Sequence, residues 1–244
     1  MPAPDRLILF DIDGTLLSAG GAPRRAFRRA LTQFFGTDGA AATDDFSGKT
    51  DPQIVYDLMT GAGFGNNHIA ERIAAVFESY VAGLAAELET ETGHRLLPGV
   101  AELVPRLAED PRVVLGLVTG NIETGARLKL DHFGLWDRFR VGAFGSDDRE
   151  RDRLPPIAVE RARRLTGRSF VGEEVVVVGD TPADVRCARA AGAIAVAVAT
   201  GPPGRDALVA SDPDFLLDSL EAWPEVAAQI GLEDRRIETP ARRL

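Results

Sequence analysis

Cysteine occurs once in the 244-residue chain, at position 187. A single thiol excludes an intramolecular disulfide and any site built from several cysteines, and its place in an apolar helix after Val185 assigns it to packing. Long hydrophobic runs are missing as well. None approaches the roughly 20 residues needed to span a bilayer, so no membrane partner is expected. The first residues, Met1 to Arg6, lack the basic segment, apolar stretch and small-residue cleavage site of an export signal, which points to a cytoplasmic location. Excess positive charge is absent too. The net charge of -9 argues against nucleic acid as a partner. Histidine is confined to His68, His94 and His132, too scattered to suggest a zinc centre. The first two are expected at the surface, and the third as a packed or boundary residue beside an apolar helix face.

Glycine-rich nucleotide signatures are also lacking. Phe46-Ser47-Gly48-Lys49-Thr50-Asp51-Pro52 has no upstream phosphate-cradling glycines, and Gly61-Ala62-Gly63-Phe64-Gly65 follows a helix rather than a strand. The second stretch is therefore a helix end and turn. Lysine is scarce: Lys49 and Lys129 are the only two. Lys49 lies in a small-residue loop ahead of a helix capped by Thr50 or Asp51, where an anionic substrate could meet it.

What is present begins with Leu7-Ile8-Leu9-Phe10, followed at once by Asp11-Ile12-Asp13-Gly14-Thr15. The continuous apolar run predicts a strand buried on both faces, and the acids then fall at the carboxyl edge of a parallel sheet, where ligands bind. Helical periodicity follows in Ala22 to Phe35, whose arginines at 24, 25, 28 and 29 form a solvated face, and again from Ile69 to Leu88. No strand is expected between Ser18 and Leu96. From Pro98 onward helices alternate with the runs Val113 to Val118, Phe139 to Phe144, Val175 to Val178, Ala193 to Ala199 and Phe215 to Leu217. The fold class predicted is α/β, a Rossmann-like doubly wound parallel sheet with an inserted helical cap. Residues 1–17 and 98–244 form the core, residues 18–97 form the cap, and Leu97-Pro98-Gly99 is the return hinge. The charged end from Glu233 to Leu244 is expected to fray.

Three strand ends bring polar residues to one edge: Asp11 and Asp13, Thr119 with Gly120 and Asn121, and Asp180 with Asp184. Thr181, Pro182 and Asp184 also suit a helix start, with Asp184 near the capping-box position. Capping leaves Asp180 unexplained. Three carboxylates in one cleft repel one another unless a cation or protons intervene, and Mg2+ suits an all-oxygen site. Thr119 and the following amides offer donors for phosphoryl oxygens. Arg149, Arg151 and Arg153 are candidates for the neutralising charge.

In this order, Asp11-Ile12-Asp13-Gly14-Thr15-Leu16, the strand ending in Thr119, and Gly179-Asp180-Thr181-Pro182-Ala183-Asp184 resemble the haloacid dehalogenase superfamily, most closely its phosphoglycolate phosphatase-like branch. The resemblance implies a phosphatase acting on a small phosphorylated metabolite, a phosphoglycolate-like compound or a sugar phosphate. It implies Asp11 as the nucleophile that forms an aspartyl-phosphate and Asp13 as the acid and base. Mg2+ would be held by Asp11, the Asp13 carbonyl, Asp180 and Asp184, with Thr119, Gly120 and Asn121 binding phosphate. Lys49 is a candidate contact from the cap. Where the family places a lysine before a Pro-x-Pro turn, this chain has Arg149-Glu150-Arg151-Asp152-Arg153-Leu154-Pro155-Pro156. Spacing to Ile157 favours Arg151, with Arg153 the alternative. The family's dehalogenases lack the second acid, so Asp13 argues against that chemistry. A phosphosugar mutase of the β-phosphoglucomutase type would share these core residues, and an inactive binding protein is the remote alternative. Oligomeric state is not legible.

Overall fold

The structure, a computed structural model, describes residues 5–232. The leader reading of residues 1–4 and the fraying expected of 233–244 lie outside the described residues.

Strand β1 (Arg6–Phe10) runs through the middle of a six-stranded sheet and leads by a tight loop into the short strand β2 (Leu17–Ala19). Four helices follow: α1 (Ala22–Phe35), α2 (Asp51–Gly61), α3 (Asn66–Ala70) and α4 (Ile73–Thr90). The chain returns through β3 (His94–Leu96), then alternates α5 (Val100–Glu109), β4 (Val113–Thr119), α6 (Glu123–Asp131), β5 (Val141–Phe144), α7 (Leu154–Thr166), β6 (Val175–Gly179), α8 (Pro182–Ala190), β7 (Ile194–Val198), α9 (Gly204–Ala210) and β8 (Phe215–Leu217), with α10 (Trp223–Gln229) last. The sheet order is β5-β4-β1-β6-β7-β8, parallel throughout.

The apolar strands read as continuous runs because each face has its own cover. Ile8, Phe10, Leu115, Leu117, Val176 and Val178 join one buried cluster, whereas Leu7, Leu9, Val114, Val118, Val175 and Val177 join the other. Alternation of side chains along a strand delivers successive residues to opposite faces. The first cluster continues into α1 and α4 through Phe27 and Tyr80, whose rings stack at 3.9 Å. Tyr80 and Leu84 also face Gly125, which seats α4 against α6 of the sheet layer.

Several expectations are corrected. Residues 18–96 are not wholly helical, because Leu17, Ser18 and Ala19 pair antiparallel with Leu96, Arg95 and His94. Three-residue strands carry no usable periodicity, and their partners lie more than 70 positions away. The long helix expected from Ile69 is interrupted, with Ile69 in α3 and the second helix starting at Ile73. The strand expected from Phe139 is shortened to Val141–Phe144. His94 is buried rather than exposed, since it belongs to a strand and packs 4.4 Å from His132 and 4.6 Å from Phe133. His132, expected to be a packed or boundary residue, is exposed just beyond the end of α6, with its ring against His94 and Phe133. Cys187 is buried, and burial pushes its thiol up to about 12, in keeping with a packing role.

Candidate active site

The loop after β1 is built to aim carboxylates out of the sheet. Asp11 N–H still donates to Val178 O, so Asp11 remains in register beside β6. The carbonyl of Ile12 then accepts from the amides of Thr15, Leu16 and Leu17, turning the chain sharply. Gly14 makes this turn at a φ of 82°, and a Cβ there would strike the Asp180 carboxylate. Only glycine meets both demands. The Thr15 hydroxyl donates to Asp180 Oδ1 at 3.1 Å, tying the end of β1 to the end of β6.

Asp180 leads into α8, where Thr181 caps the helix. Its hydroxyl accepts from Asp184 N–H, and Asp184 Oδ2 accepts from the Thr181 N–H and hydroxyl at 3.0 and 2.6 Å. The capping box is complete. Asp184 nevertheless keeps Oδ1 for Arg151, which donates to it at 2.5 Å. Ligand oxygens of Asp11, Asp180 and Asp184 all lie within 4.8 Å of one another, and all three residues are buried.

Burial raises the Asp11 pKa to about 6; Arg151 opposes the shift and the Asp184 charge adds to it. Asp180 is raised well above the carboxylate range, first by burial and then by the charges of Asp184 and Asp11. Burial works against the charged form of Arg151, but Asp184 and Asp11 outweigh it and hold the guanidinium protonated. With all three carboxylates ionised, one guanidinium leaves an excess of negative charge for a cation to offset. This hard, oxygen-only donor set fits a divalent cation such as Mg2+.

Of the three candidate arginines, only Arg151 reaches the acids, at 3.1 Å from Asp11 and 2.5 Å from Asp184. Its placement comes from the 3-10 turn Arg151–Arg153 ahead of α7. Arg153 has a side chain 70% exposed and pairs with Asp148, while Arg149 lies over the ring of Tyr56.

The end of β4 forms the opposite wall. Thr119 Oγ1 accepts from Asn121 Nδ2 at 2.8 Å. Asn121 Nδ2 also donates to Asp13 Oδ2 at 2.8 Å. Gly120 O accepts from Asp51 N–H, and a Cβ on Gly120 would collide with the Lys49 carbonyl, so the loop before α2 sits directly on this strand end. Thr50 caps α2 and donates its hydroxyl to Arg149 O, a second tie between that helix and the core loops. Above the carboxylates lies a cavity of about 450 Å3, lined by Asp11, Asp13, Arg151 and Asp180 below and by Arg24, Phe46 and Lys49 above. Lys49 Nζ is engaged by Asp44 at 3.0 Å and Asp57 at 3.1 Å.

Sequence reasoning missed two charged residues here. Lys129 is buried and bonds both Asp13 and Asn121. Its signal was its position three residues after the buried Ala126, on the inward face of α6. Asp51, read only as a cap, is buried and accepts from Ile122 N–H at 2.8 Å. Burial raises it to about 7, opposed by the Lys129 charge.

With this geometry in hand, the haloacid dehalogenase-like hydrolase family profile matches residues 6–192. The chain belongs to the haloacid dehalogenase-like hydrolases. A phosphoglycolate phosphatase of Vibrio vulnificus is 27% identical over 225 residues, 88% of this chain and 92% of the relative. Another, from Synechococcus elongatus, is 35% identical over 127 residues, which span 51% of this chain and about half of that protein, 56%. A solved structure described as a predicted phosphoglycolate phosphatase of Haemophilus somnus has the same fold, with a TM-score of 0.66, 19% identity and coverage of 93% and 99% of the two chains. Among the haloacid dehalogenase-like hydrolases the chain is similar to phosphoglycolate phosphatases, and it is an enzyme of the phosphatase kind.

Proposed function

We propose that this hydrolase is a Mg2+-dependent phosphatase of a small phosphorylated metabolite, a phosphoglycolate-like compound or a sugar phosphate, working through an aspartyl-phosphate. The observation that carries the reading is the convergence of Asp11, Asp180 and Asp184 within 4.8 Å beside Arg151, at the floor of the cavity.

In this reading an Asp11 carboxylate oxygen attacks phosphorus as the bond to the substrate oxygen breaks, and Asp13 gives that oxygen a proton. Asp13 then takes a proton from water, which attacks the aspartyl-phosphate, releases inorganic phosphate and restores Asp11. Mg2+, held by Asp11, Asp180 and Asp184 with the Asp13 carbonyl, would supply charge neutralisation of the phosphoryl group. Arg151 keeps Asp11 oriented and offsets negative charge as the phosphoryl moves. The Thr119-Gly120-Asn121 turn is the proposed seat of the phosphoryl oxygens. Residues 18–97 act as a cap that closes over the cavity and excludes water, with Lys49 and Arg24 on its inner side.

The test is phosphate release from an aryl phosphate, phosphoglycolate and a panel of sugar phosphates, with Mg2+ and with EDTA. Release that requires Mg2+ is expected. Absence of release across the whole panel with Mg2+ present would overturn the proposal.

A further inference from the structure

The Lys129 side chain is 2% exposed, yet its ammonium lies 2.6 Å from Asp13 Oδ2, on a side chain that is 40% exposed toward the cavity. A second ammonium hydrogen reaches Asn121 Oδ1, also at 2.6 Å. Asn121 Nδ2 donates to the same Asp13 oxygen at 2.8 Å. Lys129, Asn121 and Asp13 thus close a triangle in which Asp13 Oδ2 is held twice. The other oxygen, Oδ1, takes no hydrogen bond among the described residues.

A buried ammonium is costly unless it is paired and hydrogen-bonded. A helix position facing the core between Ala126 and Leu130 would ordinarily be apolar, and the chain's other basic residues, all but Lys49, are arginine. Lysine differs from arginine in presenting a compact point charge with three divergent donors. That shape suits a site where one amide oxygen and one carboxylate oxygen must be reached from below within a small space.

We infer that Lys129 is a positioning residue for Asp13, locking one carboxyl oxygen so that the free oxygen faces the leaving group. This inference rests on the phosphatase reading above. A carboxyl that must exchange a proton with a departing oxygen gains from a fixed rotamer, since a misplacement of about 1 Å can cost about 10²-fold in rate. The dependence is greatest where the leaving group is a poor one and needs its proton, and least where it departs unaided.

The experiment compares Lys129→Met and Lys129→Arg with wild type on two substrates, 2,4-dinitrophenyl phosphate and a simple alkyl phosphate. The quantity read is kcat/KM, which covers the steps through departure of the leaving group. For Lys129→Met, kcat/KM should fall about 10²-fold on the alkyl ester and by less than about 3-fold on the dinitrophenyl ester. Lys129→Arg should show the same selectivity with a smaller loss. Equal losses on the two substrates would assign Lys129 to substrate binding or to packing and overturn the inference. Should Lys129→Met fail to fold by circular dichroism, Lys129→Arg decides alone: a selective loss on the alkyl ester supports the inference, and uniform or absent loss overturns it. If wild type with Mg2+ hydrolyses neither these esters nor any compound of the panel above, the phosphatase reading itself fails and this inference falls with it; wild-type activity with non-selective variants sinks the inference only.

Discussion

One guanidinium nitrogen of Arg151 lies between Asp11 Oδ2 and Asp184 Oδ1, at 3.1 and 2.5 Å. All three side chains are buried, and Asp11 would sit higher still on the pH scale without that charge. Removing one partner from such a cluster leaves uncompensated charge, typically at a cost of about 3–5 kcal/mol.

Arg151→Ala should therefore lower both activity and stability, with turnover falling at least about 10²-fold, on the scale of other losses of transition-state charge stabilisation. Arg153→Ala should change turnover less than about 2-fold, because its exposed pairing with Asp148 is of the kind worth little. Steady-state phosphate release from the two variants checks both statements. A larger loss in Arg153→Ala would reverse the assignment.

Asp11→Asn keeps the shape of the side chain and its place beside Val178 but removes the attacking oxygen anion. Turnover should fall by at least about 10³-fold, as expected when a covalent nucleophile is lost. Intact mass of acid-quenched protein mixed with substrate gives an independent reading. A phosphorylated adduct is expected with wild type and not with the variant; an adduct on Asp11→Asn would place the nucleophile elsewhere.

The strands of the main sheet, their parallel arrangement and the acids that follow them were legible because the apolar runs and what ends them are local patterns. Runs such as Val175 to Val178 can lie only where both faces are covered, and Asp180 follows directly on that strand. The β2 and β3 ribbon was hidden for the opposite reason, since its pairing joins Ser18 to Arg95, more than 70 positions along the chain. Arg151 could be separated from Arg153 only in three dimensions. Two residues apart in a 3-10 turn, they point in different directions, and nothing in their identities says which faces inward. Lys129 belongs to no motif, and its role depends on the inward face of α6 meeting the end of β4. Asp51 looked like a cap because caps and buried acids share the same helix-start position.

Metal binding can be tested without turnover. If Asp11, Asp180 and Asp184 hold Mg2+, folded protein is stabilised by mass action, by about 2.7 kcal/mol at a concentration 100 times Kd. For a chain of this size that is a rise in Tm of roughly 5–10 °C. Asp180→Asn removes one ligand charge and should abolish most of the shift. Thermal scans in EDTA and in Mg2+ check this. Equal shifts in wild type and variant would move the site away from Asp180.

Asp51 makes a prediction about pH. Folded, its pKa is raised to about 7 by burial, against an ordinary value of 3.8. Between about pH 4 and 7 the folded chain therefore binds a proton at Asp51 that the unfolded chain has released. Stability from this group is greatest below that window and declines as pH rises through it, by up to about 1.4 kcal/mol per pH unit. Asp51→Asn cannot ionise and can still accept from Ile122 N–H through its amide oxygen. Compared in EDTA, the variant should gain on wild type in Tm as pH is raised from 5 to 8, the contributions of Asp11 and Asp180 being common to both proteins. Parallel Tm curves over that range would mean that Asp51 is already ionised in the folded state, held so by Lys129.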